Sequence, residues 1–384
     1  MLSQLKILDL TSNLPGPYAT MLLADLGARV LKIERPPVGD PARRDMALGD
    51  RKGASFAALN RSKLSLCLDL KQKAGREVFL KLLGDYDIVI EGFRPGIMER
   101  LGLGYETLRT RRPDLIYLAL SGYGQDGPWS QKAGHDLNYL ALSGAAGLNG
   151  NPDGSLNAAG VQVADVGGGS DMALFGLLAA VINRQATGRG RFIDVSMFDS
   201  ILSWVSISSA RALAGLEEGR PGRTWATGAW PCYRLYKTAD GGHMSLGALE
   251  PHFWSNFCKA VDRPDLEDKA FGGPEVTREV ATIFASRTRQ EWTALLADHD
   301  CCCEPVLSVE EAFASEQVRA RGSGSWIKDG DRSRFQAACP VRFTGFRPGP
   351  WRSAPKLGRD ADQVLTSLGY SAEEINRLRR EGVI

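Results

Sequence analysis

Apolar residues in the first half of the chain gather into short unbroken runs, and the stretches between them carry helical spacing. The runs "LKILDLT" (5–11), "RVLKIE" (29–34), "LSLCLDL" (64–70), "DIVIEGF" (87–93), "LIYLALSGYG" (115–124) and "RFIDVSMFDS" (191–200) predict buried strands. "PYATMLLADLG" (17–27) predicts a helix that stops at Gly27, "KAGREVFLKLLGDY" a second, and residues 171–186 a long third. Strands that alternate with helices imply βαβ units. The expected class is therefore α/β, with a mostly parallel sheet and ligands bound beyond the C-terminal ends of its strands.

Near residue 215 the period is lost. "LEEGRPGRTWATGAWP" is rich in Gly, Arg and Pro, and "CYRLYKTADGGHMSLGAL" then alternates around "ADGG" as a hairpin does. Helical spacing follows to about residue 320, and the chain closes on "SAEEINRLRREGVI", where Ser371 and Glu374 have the spacing of a capping box. These changes predict a large α/β domain over 1–200, a linker over 201–224 and a smaller α+β domain over 225–325. Residues 326–384 are expected to return to the first domain.

At 384 residues the chain has room for two ordinary cores. A net charge of +2 without any basic block argues against a nucleic-acid partner. The start has no signal-peptide pattern and the end "EGVI" is neither a peroxisomal nor an endoplasmic-reticulum signal. "MALFGLLAAVI" (172–182) is about half of what a bilayer span requires, so a buried helix and no membrane span are expected. The seven cysteines are an odd, scattered set, which suits a reducing compartment. The triplet Cys301–Cys303 lacks structural-zinc spacing, so no metal site is expected. Together these features predict a cytoplasmic enzyme.

Glu34 ends the second strand, where a ribose-binding acid would sit, but the first turn is "LTSNLPGPY" and not G-x-G-x-x-G, which argues against NAD. Arg35, Lys71, Arg94 and Arg100 each read as solvated surface when taken singly. As a set on the strand-end rim they suit the phosphates of a nucleotide-like anion. Asp165, ahead of three glycines, reads equally as a helix-capping acid or as a carboxylate that a ligand approaches closely. A lone histidine is more often structural than catalytic. His135, however, stands at a helix start, where backbone N–H groups favour a developing negative oxygen. Glu250, just before a proline, reads as a cap or surface acid, and His243, His252 and His299 as packing or surface residues.

"GPYATMLLADLGARVLKIERP", "EGFRPGIMERLGLGYE", "SGYGQDGPWSQKAGHDLNYLALSG", "DVGGGSDMALFGLLAAVINRQATGRG" and "GHMSLGALEPHFW" together resemble the family III CoA-transferase (CaiB/BaiF-type) superfamily. Within it the chain is most similar to the α-methylacyl-CoA racemases. The resemblance implies a Rossmann-like large domain, a small domain, two chains interlinked as a homodimer, and an acyl-CoA thioester as substrate. No further cofactor is required, since CoA arrives as part of the substrate. It places CoA contacts at Arg35, at Leu68, Asp69, Leu70 and Lys71, at Gly92, Phe93 and Arg94, at Arg100, and at Gly134, Leu137, Asn138 and Tyr139. In the transferases the aspartate matching Asp165 is a nucleophile. In the racemases it shares acid and base work with the histidine of "GHD", here His135, which the glutamate of "GAxEP", here Glu250, orients.

All three residues are present, so the expected activity is 1,1-proton transfer at the α-carbon of a 2-methylacyl-CoA. His135 and Asp165 would exchange acid and base roles with direction, and the N–H of Asp136 would stabilise the enolate oxygen. The alternatives are a CoA-transferase working through an Asp165 intermediate and a catalytically silent CoA-binding protein.

Overall fold

The computed structural model describes residues 1–44, 53–329, 332–347 and 351–384. They form two compact units, one of Met1–Ser143, Val161–Ser203 and Ser323–Ile384, the other of Gly144–Gly160 and Trp204–Gly322.

The first unit is an α/β structure. Its six strands are β1 (Lys6–Leu10), β2 (Arg29–Glu34), β3 (Leu64–Cys67), β4 (Ile88–Glu91), β5 (Ile116–Ser121) and β6 (Phe192–Ser196). All pair in parallel, in the spatial order β3-β2-β1-β4-β5-β6. A strand covered on both faces has no polar side to show, which is why these segments read as continuous apolar runs. β5 is buried throughout. β6, read from the sequence as buried, is an edge strand with one neighbour. Its Phe192 is 39% exposed and stacks on Tyr117 with ring centroids 5.7 Å apart.

One face of the sheet packs Leu8, Leu31, Leu66 and Val89 against Val78, Phe79 and Leu82 of the helix Lys73–Leu82. Val364, Leu365, Ile375 and Leu378 of the C-terminal helices Ala361–Ser367 and Ala372–Arg380 join the same core. Each such side chain contributes about 1.5–3 kcal/mol relative to exposure. The last helix starts with the expected capping box: Ser371 N donates to Glu374 Oε2 at 2.7 Å, and Glu374 N donates to Ser371 Oγ at 3.2 Å.

The long helix is longer than the sequence suggests. Ala164–Asp171 is π-helical and runs straight into the α-helix Met172–Thr187, which ends on Gly188 in the left-handed conformation (φ 68°). By length and composition this joined run suffices to cross a bilayer, so the shortness of 172–182 is no argument against a span. The helix is only partly buried, unlike the buried one expected: Ala173, Leu177, Ala180 and Val181 are buried, whereas Phe175 and Ile182 are exposed.

In the second unit β7 (Tyr233–Lys237), β8 (His243–Gly247) and β9 (Cys303–Pro305) form an antiparallel sheet in that order. Trp254, Phe257, Phe284 and Trp292 dominate its core, where Cys232, Cys258, Cys301 and Cys303 are also buried. Two boundaries differ from those read in the sequence. Residues 201–213 continue the helix Met197–Leu213 instead of forming a linker, and 144–160 cluster with the second unit instead of the first.

Candidate active site

Strand order reverses between β1 and β4, so the connections leaving these two strands turn to opposite sides and open a crevice at their C-terminal ends. Two cavities lie there, and Thr11, Ser12 and Phe93 line both.

The first cavity, about 480 Å³, contains His135 and Asp165. His135 is the extended residue (φ −129°, ψ 177°) just before the helix Asp136–Leu142. Its N–H donates to Asn138 Oδ1 at 3.0 Å, and its carbonyl accepts from Asn138 N at 2.8 Å. Tyr139 OH donates to Gly134 O at 2.6 Å. These bonds pin the backbone on either side of an exposed imidazole.

Asp165 stands in the first turn of the π-helical segment. Asp136 Oδ1 accepts from the N–H groups of Ala164 (2.6 Å) and Asp165 (3.0 Å), two donors that a helix start leaves without intrahelical partners. The residue after the imidazole thus grips the backbone of the other candidate group. Burial first, then the Asp136 charge, push the Asp165 carboxyl up to about 6, while His135 pulls it down. Such a carboxylate is a stronger base than an ordinary one and exchanges protons near neutral pH. Two of the three glycines after it, Gly168 and Gly169, serve packing, not the approach of a ligand. A Cβ on Gly169 would lie 3.0 Å from Pro15 Cβ, and one on Gly168 would lie 3.2 Å from Met197 O, so these two glycines let the protein pack on itself.

The second cavity, about 550 Å³, is lined by Leu10, Ile33, Leu68, Leu70, Ile97 and Leu101, with Arg35, Asp69, Lys71 and Arg100 around them. Arg35, Lys71 and Arg100 are exposed. Of the other predicted contacts, Phe93 lines both cavities, whereas Gly92, Arg94, Gly134, Asn138 and Tyr139 line the first. Leu137 lines neither, being 55% exposed on the outer face of its short helix. Asp69 is a turn residue whose carboxylate accepts from Lys71 N and Gln72 Nε2.

Glu34 is not available to a ribose. Arg43 holds its two oxygens at 2.7 Å each, and Ser65 Oγ and Asp40 N donate to it as well. Glu91, at the end of β4, accepts from Phe93 N at 2.7 Å, and burial raises its carboxyl to about 8. Glu250 belongs to the second unit, where it is the exposed residue immediately before the helix Pro251–Ala260. Sequence reasoning overlooked Thr11, Ser12 and Asn13 as cavity residues. In the sequence, the "LTSNLPGPY" turn reads only as a failed dinucleotide loop.

The sequence profile described as CoA-transferase family III matches residues 2–361. The chain belongs to that family. Over its full length, and 97% of the relative, it is 34% identical to the alpha-methylacyl-CoA racemase of Homo sapiens. It is 30% identical to the succinyl-CoA:glutarate CoA-transferase of Mus musculus, covering all of this chain and 90% of that protein. A CAIB/BAIF family protein from Brucella suis superposes with a TM-score of 0.81 at 27% identity, over 96% of this chain and 99% of that one. This family III chain is therefore an enzyme of the racemase or CoA-transferase kind, with the CaiB/BaiF fold.

Proposed function

We propose that the chain is an acyl-CoA racemase that moves a proton off and back onto the α-carbon of a 2-methylacyl-CoA thioester. The observation that carries this reading is the presence of His135 and Asp165 in one cavity, coupled through Asp136. An α-proton beside a thioester is weakly acidic because the electron pair left behind delocalises onto the carbonyl oxygen as an enolate. Inversion needs one group to take the proton and a second to return one from the opposite face. With Asp165 as base and the imidazolium of His135 as acid, the centre inverts one way. With His135 as base and protonated Asp165 as acid, it inverts the other way. Either way the pair carries one proton.

The N–H of Asp136 donates to the enolate oxygen, and losing such a donor costs about 2.7–4 kcal/mol of barrier. The second cavity takes the CoA moiety, with apolar walls for its carbon-rich parts and Arg35, Lys71 and Arg100 for its phosphates. A homodimer accounts for Phe175, Leu178 and Ile182, which the helix Met172–Thr187 leaves 69%, 39% and 67% exposed.

The test is conversion of one epimer of a 2-methylacyl-CoA in deuterated water. Epimerisation with α-deuteration is expected from the parent protein and neither from His135→Ala. Full turnover in His135→Ala contradicts the two-base scheme.

The kinship with transferases favours a second reading. There the Asp165 carboxylate attacks the thioester carbonyl and expels CoA thiolate, leaving a mixed anhydride at Asp165. Hydroxylamine would trap that acyl group as a hydroxamate, and no trapping is expected from a racemase.

A further inference from the structure

Four buried charges beside the cavities play no part in the chemistry above. Asp9 lies in β1, Lys32 in β2, Lys63 just ahead of β3, and Asp40 after β2, each 4% exposed or less. Lys63 Nζ is 3.1 Å from Asp9 Oδ2, and Lys32 Nζ is 2.9 Å from Asp40 Oδ2. Desolvating such groups costs several kcal/mol per ion, and apolar residues of the same volume often serve stability as well or better. Stability alone is a poor reason for these pairs. Their remaining bonds give a better one.

Asp9 Oδ1 accepts from Thr11 N at 3.0 Å and from Thr11 Oγ1 at 2.5 Å. Lys32 Nζ donates to Thr11 O at 2.8 Å, and Lys63 Nζ donates to Pro17 O at 2.9 Å. Asp40 Oδ1 accepts from Asn13 N at 3.1 Å. Each of the four charges thus ends on the backbone of Thr11–Pro17, a turn that runs into the first residues of the helix Pro15–Asp25. The turn has strain to be held against. Asn13 has φ 63°, a left-handed conformation that a residue other than glycine keeps only where its surroundings hold it. The turn also folds back so tightly that a Cβ on Gly16 would sit 2.2 Å from Thr11 Cβ.

The same turn supplies Thr11 and Ser12 to both cavities and is linked to the catalytic carboxylate's backbone. Ser170 Oγ lies 2.6 Å from Pro15 O and 3.2 Å from Asp165 O.

We propose that Asp9, Lys63, Lys32 and Asp40 form a positioning device that holds the Thr11–Pro17 turn as a rigid partition between the two cavities. The partition sets where the thioester lies relative to Asp165. The inference rests on the acyl-CoA reading of the cavities. In a dinucleotide-binding fold, glycine amides in this turn grip the ligand directly. Here the turn is itself gripped from beneath, and Asp9, Lys32 and Lys63 line neither cavity.

The experiment compares the parent with two charge-neutral double variants, Asp9→Asn with Lys63→Met and Lys32→Met with Asp40→Asn. Each is assayed for melting temperature and for steady-state epimerisation. A group displaced by about 1 Å costs roughly 100-fold in rate. Each double variant should therefore lose at least about 30-fold in kcat, with KM for the acyl-CoA within about threefold and melting little changed. The quadruple variant should lose far less than the product of the two losses, since both pairs act through one turn. A folded double variant whose kcat stays within about threefold of the parent overturns the proposal. So does one whose kcat loss is matched by a comparable rise in KM.

If neither double variant folds, Asn60→Ala and Thr20→Val decide. Asn60 Oδ1 accepts from Lys63 at 2.7 Å, and Thr20 Oγ1 donates to Asp9 at 2.7 Å. Losses of about 3–10-fold in kcat at constant KM are expected from these, and full activity in both overturns the proposal. Failure of the racemase reading is distinct, because it appears in the parent protein as absence of α-deuterium exchange.

Discussion

Replacing Asp136 by asparagine and by alanine separates two effects of its carboxylate. It caps the N–H groups of Ala164 and Asp165, and its charge helps to raise the Asp165 carboxyl from 3.8 to about 6. In Asp136→Asn the amide oxygen still accepts both N–H groups but the charge is gone. The Asp165 carboxyl should then fall below 6 without reaching 3.8, because burial, the larger cause, remains. A base weakened by one pH unit loses at most about tenfold in rate, so Asp136→Asn should lose less than about 100-fold.

In Asp136→Ala both N–H groups lose a charge-assisted acceptor, about 1.5–3 kcal/mol each, and Asp165 is free to drift. A loss of roughly 100- to 1,000-fold in kcat is expected. The assay is α-deuterium exchange between pH 4.5 and 9. Because the pair carries one proton in either direction, activity falls at low pH, where both groups are protonated, and at high pH, where neither is. Asp136→Asn should move the acid limb to lower pH. An acid limb that stays in place in Asp136→Asn, or an Asp136→Ala no slower than Asp136→Asn, refutes the reasoning.

Arg35→Ala and Arg100→Ala should each raise KM for acyl-CoA about 3–10-fold at constant kcat, with a weaker dependence of KM on salt, measured by steady-state kinetics. Glu91 has a folded-state value of about 8 against an ordinary 4.5, so the folded protein binds that proton more tightly. Its contribution is therefore fully present below pH 4.5 and is lost as pH rises from 4.5 through about 8. Denaturant titrations should show stability declining across this window by an amount on the order of 4 kcal/mol, and Glu91→Gln should flatten the decline. A slope unchanged in Glu91→Gln counts against a buried neutral carboxyl. Phe175→Glu with Ile182→Glu should convert a particle of twice 41.7 kDa into one of 41.7 kDa by light scattering, and a parent already at the lower mass contradicts the dimer.

The sheet was legible because parallel strands buried on both faces leave unbroken apolar runs, and each of the six runs became a strand. The unit boundaries were not, because membership of 144–160 depends on long-range contacts that composition does not record. β9 escaped because three residues are too few to show a period. His135 and Asp165, which helix-start context and family resemblance single out, both line one cavity. The second task of Asp136 was not, since its side chain caps a segment 28 residues away. The buried clamp did leave a signal: Asp9 and Lys32 are charges in the middle of otherwise apolar strands, and such residues are seldom buried without a partner.

In the proposed reaction one imidazole and one carboxylate work on opposite faces of the same carbon. Mass spectrometry of each pure epimer after partial reaction in deuterated water tests it most directly. Deuterium at the α-carbon of the inverted product from either starting epimer, at comparable rates, is the predicted result. Unlabelled, uninverted thioester from both, with a hydroxylamine-sensitive acyl group on Asp165, would contradict it.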